Sequence, residues 1–536
     1  MRGIPLVRRS HSSARNLPGT KSTTMPDQTR PWSSAVVSKL AALLLFCVAT
    51  AATQAQTFKL VNDNEGSDWP LVQGFDGNLY GASGNGQGTY GFGGSIFRMT
   101  PTGKLTTIYT FCSQTGCADG QNPNGIVLGT DGNFYGTTGF GGANSNIDCN
   151  GERVGTCGTV FKITPTGKLT TMYSFCALAN CADGSLPGSL LVQGTDGNFY
   201  GTTGYGGDGV GCPQNLFGPV GCGTIFKISL TGKFATFYNF CTSTLGTCYD
   251  GTYPWWLTLG KNGDLYGTTN WGGPGSGGPQ CQEHGCGIFY TISYKGVLTT
   301  LYNFCLVTGC PDGAGASSGV TLASNGNFFG TSGSGGANDD GTVFTITPAG
   351  GLTTLYSFCA QSGCPDGESP GAPPIQATDG NFYGTVSFGG GADDPGTLYK
   401  MQPGGKLKTI YTFCQQVNCN DGTTPSEFFQ ATNGTLYGTA SGGGLTAAGT
   451  IYALTPALAA FVQPVPFIGA VGTNVTILGS SLSSTSGVFF NGAPAGFSIV
   501  SNTEVNTTVP TGATSGKITV TTSGGTLTSN VAFEVK

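Results

Sequence analysis

Short apolar stretches alternate with glycine- and asparagine-rich turns along most of the chain, and one six-residue phrase marks each alternation. It reads Asp-Gly-Asn-Phe-Tyr-Gly at residues 131–136, and related phrases begin at residues 76, 196, 262, 325, 379 and 433. The seven copies are spaced 55, 65, 66, 63, 54 and 54 residues apart. Such self-similarity at a regular interval is typical of a repeat architecture.

Each repeat contains four apolar segments that we expect to be strands. In the third repeat they are residues 190–193 (strand a), 198–203 (strand b), 224–228 (strand c) and 234–240 (strand d), all rich in β-branched and aromatic residues. Asp-Gly-Asn between a and b and Thr-Gly-Lys between c and d are tight-turn signals, because Gly and Asn tolerate positive φ. The pattern therefore predicts an all-β fold, a seven-bladed β-propeller with four-stranded blades.

The two ends of the repeat region are expected to close the ring. The seventh repeat offers strands at 427–430, 436–439 and 450–454 and then meets Pro456, so it lacks strand d. Residues 57–61 have the pattern of a d strand, and we expect this N-terminal strand to complete the last blade. Residues 458–462 are the competing candidate.

Composition changes sharply after the repeats. Cysteine disappears after residue 464, and short strands rich in Val and Thr alternate with Gly, Ser and Asn turns. This pattern predicts a small immunoglobulin-like (Ig-like) β-sandwich over 464–536. The expected organisation is a presequence at 1–55, a propeller at 56–456, a linker at 457–463 and the sandwich.

The presequence has the layout of a secretory signal. A basic residue, an apolar stretch and small residues follow one another in residues 39–56, which predicts cleavage after Ala55. Met25 would give a signal of ordinary length and is an alternative start. The chain after residue 55 carries 15 Lys+Arg and 26 Asp+Glu, a net charge of −11. This charge disfavours nucleic acid as a partner, and we expect no transmembrane segment after signal cleavage.

The cysteines also indicate export. Eighteen of the 19 follow the presequence, and they fall into close pairs, which predicts local disulfides in an oxidising compartment. Zinc is the alternative, but the pairs lack Cys-x2-Cys spacing and only His284 could join them. The expected disulfides are Cys112–Cys117, Cys149–Cys157, Cys176–Cys181, Cys212–Cys222, Cys241–Cys248, Cys281–Cys286, Cys305–Cys310, Cys359–Cys364 and Cys414–Cys419.

One face of the predicted propeller is the candidate binding surface. In a meander the a–b and c–d turns lie on one face (the turn face), and the b–c and d–a loops lie on the other (the loop face). The loop face holds every expected disulfide and most of the variation in loop length between repeats. Variable loops on a rigid scaffold often carry function. Its aromatic rings could stack on sugars or could instead pack between blades. These candidate ligand-binding residues are Phe140, Tyr205, Trp271, Phe388, Trp69, Trp255 and Trp256.

The sequence offers no convincing catalytic constellation, so we expect neither an enzyme nor a cofactor. The Asp of the repeated Cys-x-Asp-Gly turn is expected to bond its own backbone. Acids outside that pattern, Glu152, Asp208 and Glu368, keep open a polysaccharide hydrolase or lyase. The pairs 339–340 and 393–394, both Asp-Asp, offer at most a weak Ca²⁺ site, with solvated acidic turns as the simpler reading.

Both parts of the chain resemble known families. The phrases D-G-N-F-Y-G-T-T (131–138), G-T-V-F-K-I-T-P (158–165) and L-T-T-L-Y-S-F (352–358) resemble the GloVer tandem repeat of secreted bacterial proteins, over residues 57–455. G-T-N-V-T-I-L-G (472–479) and V-F-F-N-G-A-P-A (488–495) resemble an IPT/TIG Ig-like domain. The resemblance implies an exported repeat protein and no reaction. We expect a secreted or cell-surface binding or adhesion protein whose partners are glycans or surface proteins; a purely structural spacer or matrix component is a further alternative.

Overall fold

Seven antiparallel sheets of the same design follow one another along the repeat region. The computed structural model describes residues 56–536 apart from 64, 68, 85–86, 89–90, 145–156, 189, 210–220, 243–247, 277–280, 282–283, 317 and 392. In each of the seven sheets the strands pair in the order a, b, c, d, as expected of a propeller blade. The described chain is therefore an all-β propeller, followed by a separate sandwich.

The strand bounds repeat closely from blade to blade. The a strands are Val72–Gln73, Gln121–Leu128, Ser185–Pro187 with Val192–Gln193, Thr252–Leu259, Val320–Leu322, Ile375–Gln376 and Thr423–Gln430. The b strands are Leu79–Ser83, Phe134–Phe140, Phe199–Tyr205, Leu265–Trp271, Phe328–Ser332, Phe382–Val386 and Leu436–Gly442. The c strands are Ser95–Met99, Thr159–Ile163, Thr224–Ile228, Ile288–Ile292, Thr342–Ile346, Thr397–Met401 and Thr450–Thr455. The d strands are Leu105–Thr110, Leu169–Ser174, Phe234–Asn239, Leu298–Asn303, Leu352–Ser357 and Leu407–Thr412, with Thr57–Asn62 in the last blade.

Short elements decorate the loops. A two-stranded ribbon joins Gln87–Gly88 to Gly91–Phe92, and single 3₁₀ turns occur at Thr115–Cys117, Ala179–Cys181 and Val417–Cys419. Each of these three turns contains the second cysteine of a repeat. The described residues contain no helix with the length and hydrophobicity needed to span a bilayer.

The blade core consists of aromatic rings from strands b and c. The glycine in the middle of strand b makes room for them: a Cβ on Gly201 would lie 2.5 Å from the ring of Phe226, and one on Gly438 would lie 2.4 Å from Tyr452. Rings also bridge neighbouring blades, as where Tyr135 stacks on Phe199 with centroids 4.1 Å apart. The last glycine of the repeated phrase is therefore a packing requirement of every blade.

The N-terminal strand closes the ring, as predicted. Thr57–Asn62 pairs antiparallel with Thr450–Thr455 and occupies the d position of the last blade. Apolar side chains of the first and last blades share one buried cluster that includes Leu79, Phe97 and Ile451. The competing segment turns away instead: the Leu458 amide donates to the Gly434 carbonyl at 2.9 Å.

The C-terminal domain is a sandwich of two sheets. One sheet contains Gln463–Val465, Asn474–Leu478, Glu504–Thr508 and Phe497–Ile499; the other contains Ile468–Gly469, Gly525–Val535, Gly516–Thr522, Gly487–Phe490 and Ala493–Ala495, with a 3₁₀ turn at Leu482–Ser484. Its core includes Val475, Phe490 and Phe533, and also Val462 from the expected linker. The sandwich thus begins slightly before residue 464.

The sandwich lies against the turn face of the propeller. Thr503 Oγ1 donates to the Phe75 carbonyl at 2.7 Å, and Lys536 Nζ donates to the Asn262 carbonyl at 2.6 Å. Lys261 and Glu534 form an ion pair with an N–O distance of 3.5 Å. The propeller residues in these contacts belong to a–b turns, so the sandwich packs on the face opposite the disulfide loops.

Candidate ligand-binding site at the mouth of the central channel

The loop face is organised by disulfide loops that share one design. In the Cys414–Cys419 loop, the carboxylate of buried Asp421 accepts from the amides of Gln415 and Gln416 at 3.0 and 3.1 Å, and from the Tyr411 hydroxyl at 2.6 Å. Equivalent Asp side chains accept from the Tyr of strand d and from loop amides in five other blades. These residues are Asp119, Asp183, Asp250, Asp312 and Asp366. The repeated aspartates therefore hold the backbone, as the sequence suggested.

Seven of the nine expected disulfides join described cysteines. They are Cys112–Cys117, Cys176–Cys181, Cys241–Cys248, Cys281–Cys286, Cys305–Cys310, Cys359–Cys364 and Cys414–Cys419. Cys149 and Cys212 lie outside the described residues, and their expected partners Cys157 and Cys222 are also disulfide-bonded. Local disulfides in this number are typical of proteins from an oxidising, extracellular environment.

Three of the expected ligand-binding tryptophans meet in one cavity. Trp69 belongs to the first blade and Trp256 to the fourth, yet their ring centroids lie 5.8 Å apart. This contact places the a strands innermost, around the central channel. A cavity of about 290 Å³ opens there, lined by Trp69, Trp255, Trp256, Ser426 and Glu427 among others. Residues that start strand a and residues that end strand b line it, so it lies at the loop-face mouth of the channel.

A bulge in strand a sends these side chains into the channel. The register of strand a against strand b shifts between Pro254 and Leu257 in the fourth blade and between Pro425 and Phe428 in the seventh. The two residues inside each shift are Trp255-Trp256 and Ser426-Glu427, so the same repeat position supplies both sides of the cavity. Bulges commonly re-aim side chains in this way.

Neighbouring glycines make room for the tryptophans. A Cβ on Gly319 would lie 2.9 Å from the Cβ of Trp256, and a Cβ on Gly125 would lie 3.0 Å from the Cβ of Trp69. The backbone of Trp69 is also anchored, because its amide donates to Ser67 Oγ at 3.0 Å. The rings are therefore held by backbone geometry rather than by mutual contact alone.

The cavity contains polar groups that lack protein partners. The indole N–H groups of Trp255 and Trp256 are buried and have no hydrogen-bond partner among the described residues. Glu427 is only 9% exposed, and burial raises the pKa of its carboxyl well above the ordinary value. No described residue donates to this carboxyl, which lines the cavity. Buried polar groups normally have partners, so a carboxyl without one in the lining of a cavity indicates a place for a polar ligand.

The other four expected ligand-binding residues lie elsewhere on the loop face. Phe140, Tyr205 and Trp271 each end a b strand, and Phe388 follows one. Tyr205 packs on Tyr253 of the next blade with centroids 5.1 Å apart, whereas Phe388 is 49% exposed. None of the four lines the cavity. Their role in binding stays a prediction.

Sequence reasoning missed Glu427. Read alone, it is an ordinary acid in a strand, and it was assigned only to strand a of the seventh repeat. The signal was present in the alignment of the repeats, because Glu427 occupies the position of Trp256 when the two inner-strand prolines are superimposed. The bulge residues of the innermost strand are thus the positions to compare between blades.

The candidate acids of the alternative enzyme are dispersed among the described residues. Asp208 lies in the third blade and Glu368 precedes the inner strand of the sixth, while Glu152 lies outside the described residues. Burial, then the charges of Asp394 and Asp340, raise the pKa of Glu368. The two Asp-Asp pairs therefore approach one another around Glu368 at the edge of the loop face.

His284 packs within its disulfide loop. Its amide donates to the Cys281 carbonyl at 3.1 Å, and its ring lies 6.3 Å from that of Trp271. Its Nδ1 atom is buried with no partner among the described residues. Among the described residues, no acid is hydrogen-bonded to this ring.

Comparison with solved structures gives only distant similarities. PorZ, a surface component of the type-IX secretion system of Porphyromonas gingivalis, is 13% identical with a TM-score of 0.43, covering 88% of this chain and 60% of PorZ. The extracellular domain of a hybrid two-component system from B. thetaiotaomicron is 9% identical, with a TM-score of 0.43 and coverages of 90% and 59%. PQQ-bound aldose sugar dehydrogenase from Streptomyces coelicolor is 13% identical, with a TM-score of 0.35 and coverages of 74% and 98%. No curated protein matches the chain.

Family models match both parts of the molecule. The model of the IPT/TIG domain matches residues 462–535, which form the sandwich. The model of the Gloeobacter/Verrucomicrobia repeat matches residues 44–279 and 211–392, more than half of the chain. The chain belongs to the Gloeobacter/Verrucomicrobia repeat family.

Proposed function

We propose that this protein is an exported, non-enzymatic binding protein that recognises carbohydrate at the loop-face mouth of its propeller channel. The observation that carries the proposal is the meeting of Trp69, Trp255 and Trp256 in one cavity that Glu427 also lines. Aromatic rings pack on the apolar faces of sugar rings, and polar side chains in the lining bond their hydroxyl groups. The disulfide loops and the signal-like presequence support export.

The position of the sandwich supports the same site. It contacts the a–b turns, so the opposite face carries both the cavity and the disulfide loops. A long polymer can cross the loop face and place one or two units in a central cavity of about 290 Å³. The remaining aromatic positions around that face could then contact units further along the chain.

Replacement of Trp256 tests the proposal. We expect wild-type protein to be retained on at least one immobilised polysaccharide, and Trp256→Ala to weaken retention about tenfold or more, since loss of a well-packed aromatic contact commonly costs over 1 kcal/mol. Tyr294→Ala is the matched control, because Tyr294 is 72% exposed on the turn face. Affinity electrophoresis through a panel of polysaccharides measures both.

Three results would decide against the proposal. If no polysaccharide retains the wild-type protein, carbohydrate binding is disproved. Equal retention of the Trp256→Ala and Tyr294→Ala variants would show that the cavity is not the binding site. Release of reducing or unsaturated sugars during the experiment would favour the hydrolase or lyase instead. Trp271→Ala separates the cavity from the outer aromatic positions, since it should change retention only if the polymer reaches beyond the channel.

A further inference from the structure

The cavity has the components of a site for a cation. Three tryptophan rings line it, and the face of an indole attracts a positive charge more strongly than that of any other side chain. Glu427 supplies a carboxyl that no described residue pairs with. None of the other described side chains that line the cavity is titratable, so among the described residues the Glu427 carboxyl is the one ionisable group there. An aromatic cage with a single buried acid suits a ligand that brings its own positive charge.

The distribution of charge over the molecule favours the same ligand. Within the described residues, the b–c and d–a loops contain no lysine or arginine. Three lysines are instead paired with aspartates of the a–b turns, as in Lys162–Asp131 at 2.8 Å and Lys227–Asp196 at 2.7 Å. The loop face is therefore acidic, and such a surface attracts cations and repels anionic polymers.

A group of further acids is close in sequence to the residues that line the cavity. Glu368 is three residues before Gly371, which lines the cavity, and its pKa is raised by burial and by the charges of Asp394 and Asp340. A positive ligand crossing this edge would relieve that repulsion. The acidic edge and Glu427 are independent features, because the first belongs to loops of the fifth and sixth blades and the second to the inner strand of the seventh.

We propose that the cavity binds a positively charged amino group packed against Trp69, Trp256 and Glu427, so that the recognised glycan carries free amino groups, as a polymer of glucosamine does. This inference rests on the carbohydrate-binding function proposed above and specifies the class of its ligand. The rings pack on the sugar and its ammonium group, and the Glu427 carboxyl releases its proton to solvent as the ammonium group enters and then serves as the counter-ion. Neutral N-acetylated units have only the stacking contact.

Isothermal titration with three probes tests this inference. The probes are a glucosamine hexamer, the corresponding N-acetylglucosamine hexamer, and tetramethylammonium, used at a pH where the amino groups are protonated. We expect the glucosamine hexamer to bind about tenfold more tightly than its N-acetylated counterpart, as an ion pair and a cation–π contact in a desolvated site would give. The Glu427→Gln variant should bind the two hexamers with about equal affinity, since the glutamine side chain has the shape of glutamate but carries no charge.

A matched control separates a local effect from a general loss of charge. Glu504→Gln removes a part-buried acid of the sandwich and should leave the preference unchanged. Equal binding of both hexamers to wild type would overturn the cationic ligand while leaving carbohydrate binding in place. Binding of tetramethylammonium but of neither hexamer would keep the cation site and overturn the amino glycan as its ligand. Binding of none of the three probes would overturn the cationic ligand, while retention on the polysaccharide panel decides carbohydrate binding separately.

Discussion

Glu427 illustrates how one side chain can be costly to the fold and useful to a site. Its carboxyl is buried in the inner strand of the seventh blade without a partner among the described residues. Burying an unpaired polar group normally opposes folding, and an uncompensated charge opposes it more strongly. A hydrophobic residue here would stabilise the channel wall. The ligand proposed above would account for a carboxyl at this position.

The pH dependence of stability follows from the same burial. The pKa of Glu427 in the folded chain lies well above the ordinary value of 4.5 that it takes when unfolded. Below 4.5 both states are protonated, and above it the unfolded chain loses this proton first, so rising pH lowers the stability of the folded protein. We expect the melting temperature of Glu427→Gln, relative to wild type, to increase as pH rises from acid to neutral.

The control for this prediction is a part-buried acid of the sandwich, Glu504. Burial also raises the pKa of Glu504, although this group is less deeply buried, so Glu504→Gln should show the same trend with a smaller slope. Thermal unfolding of the three proteins across the acid-to-neutral range measures the difference. A melting-temperature difference between Glu427→Gln and wild type that does not vary with pH would show that Glu427 is paired or solvated.

At the scale of elements, each disulfide loop combines a covalent bond with a buried carboxylate. The disulfide closes a six-residue loop between Cys414 and Cys419. The Asp421 carboxylate accepts hydrogen bonds from two backbone amides of that loop and from the hydroxyl group of Tyr411. Both cysteines have positive φ, 59° and 52°, a backbone conformation that residues other than glycine rarely adopt. The carboxylate and the disulfide thus stabilise the same unusual turn.

Removing the disulfide and removing the Asp421 carboxylate should lower the free energy of unfolding by similar amounts. We expect Cys414→Ser with Cys419→Ser to cost about 2 kcal/mol, the chain-entropy value for so short a loop. Asp421→Ala should cost about 2–3 kcal/mol, because it leaves buried donors unpaired. The variant that combines these changes should lose less free energy of unfolding than the sum of the two separate losses, since both changes loosen the same turn. Urea unfolding measures the three free energies, and strict additivity would show that the two devices act independently.

The strands and turns could be predicted because the same sequence pattern recurs in every repeat. Seven copies of one phrase identify the a–b turn, and Asp131 shows why: its carboxylate accepts from the Asn133 amide at 3.1 Å and from the Tyr135 hydroxyl at 2.8 Å. Local contacts of this kind are fixed by neighbouring residues, so the sequence pattern predicts them well. The N-terminal strand was predictable for a related reason, since only one d position lacked its own segment.

The cavity was harder to predict because it depends on contacts between distant blades. Trp69 and Trp256 were singled out as exposed aromatics of the loop face, but nothing local indicates that the two rings meet across the channel. That contact depends on the curvature of the closed ring. Glu427 shows the same limit, since the cavity that it lines is also formed by residues of the first, fourth and sixth blades.

At the scale of the whole molecule, the ring, the sandwich and the cavity form one arrangement. The first and last blades are joined through Thr57–Asn62 and Thr450–Thr455, which fixes how far opposite inner strands approach. The sandwich covers part of the turn face, and the cavity opens on the loop face. The geometry of the cavity should therefore depend on ring closure, even though the closing strand lies at the outer edge of its blade.

Phe58 and Phe234 allow that dependence to be tested with a matched pair. Phe58 stacks on Tyr411 with centroids 4.0 Å apart, and Phe234 stacks on Tyr173 at 3.8 Å in a blade whose strands are continuous in sequence. Replacing either by Ala removes a half-buried ring and should cost about 2–3 kcal/mol in the free energy of unfolding.

Only the Phe58 variant also weakens the junction between the two ends of the ring. We therefore expect Phe58→Ala to speed hydrogen exchange of the amides in 57–62 and 450–455 and to lower ligand affinity. Phe234→Ala should do neither, although its global stability falls by a similar amount. Equal protection of the closing strand and equal affinity in the two variants would mean that the channel keeps its shape without the N-terminal strand, and the cavity would then be a property of the inner strands alone.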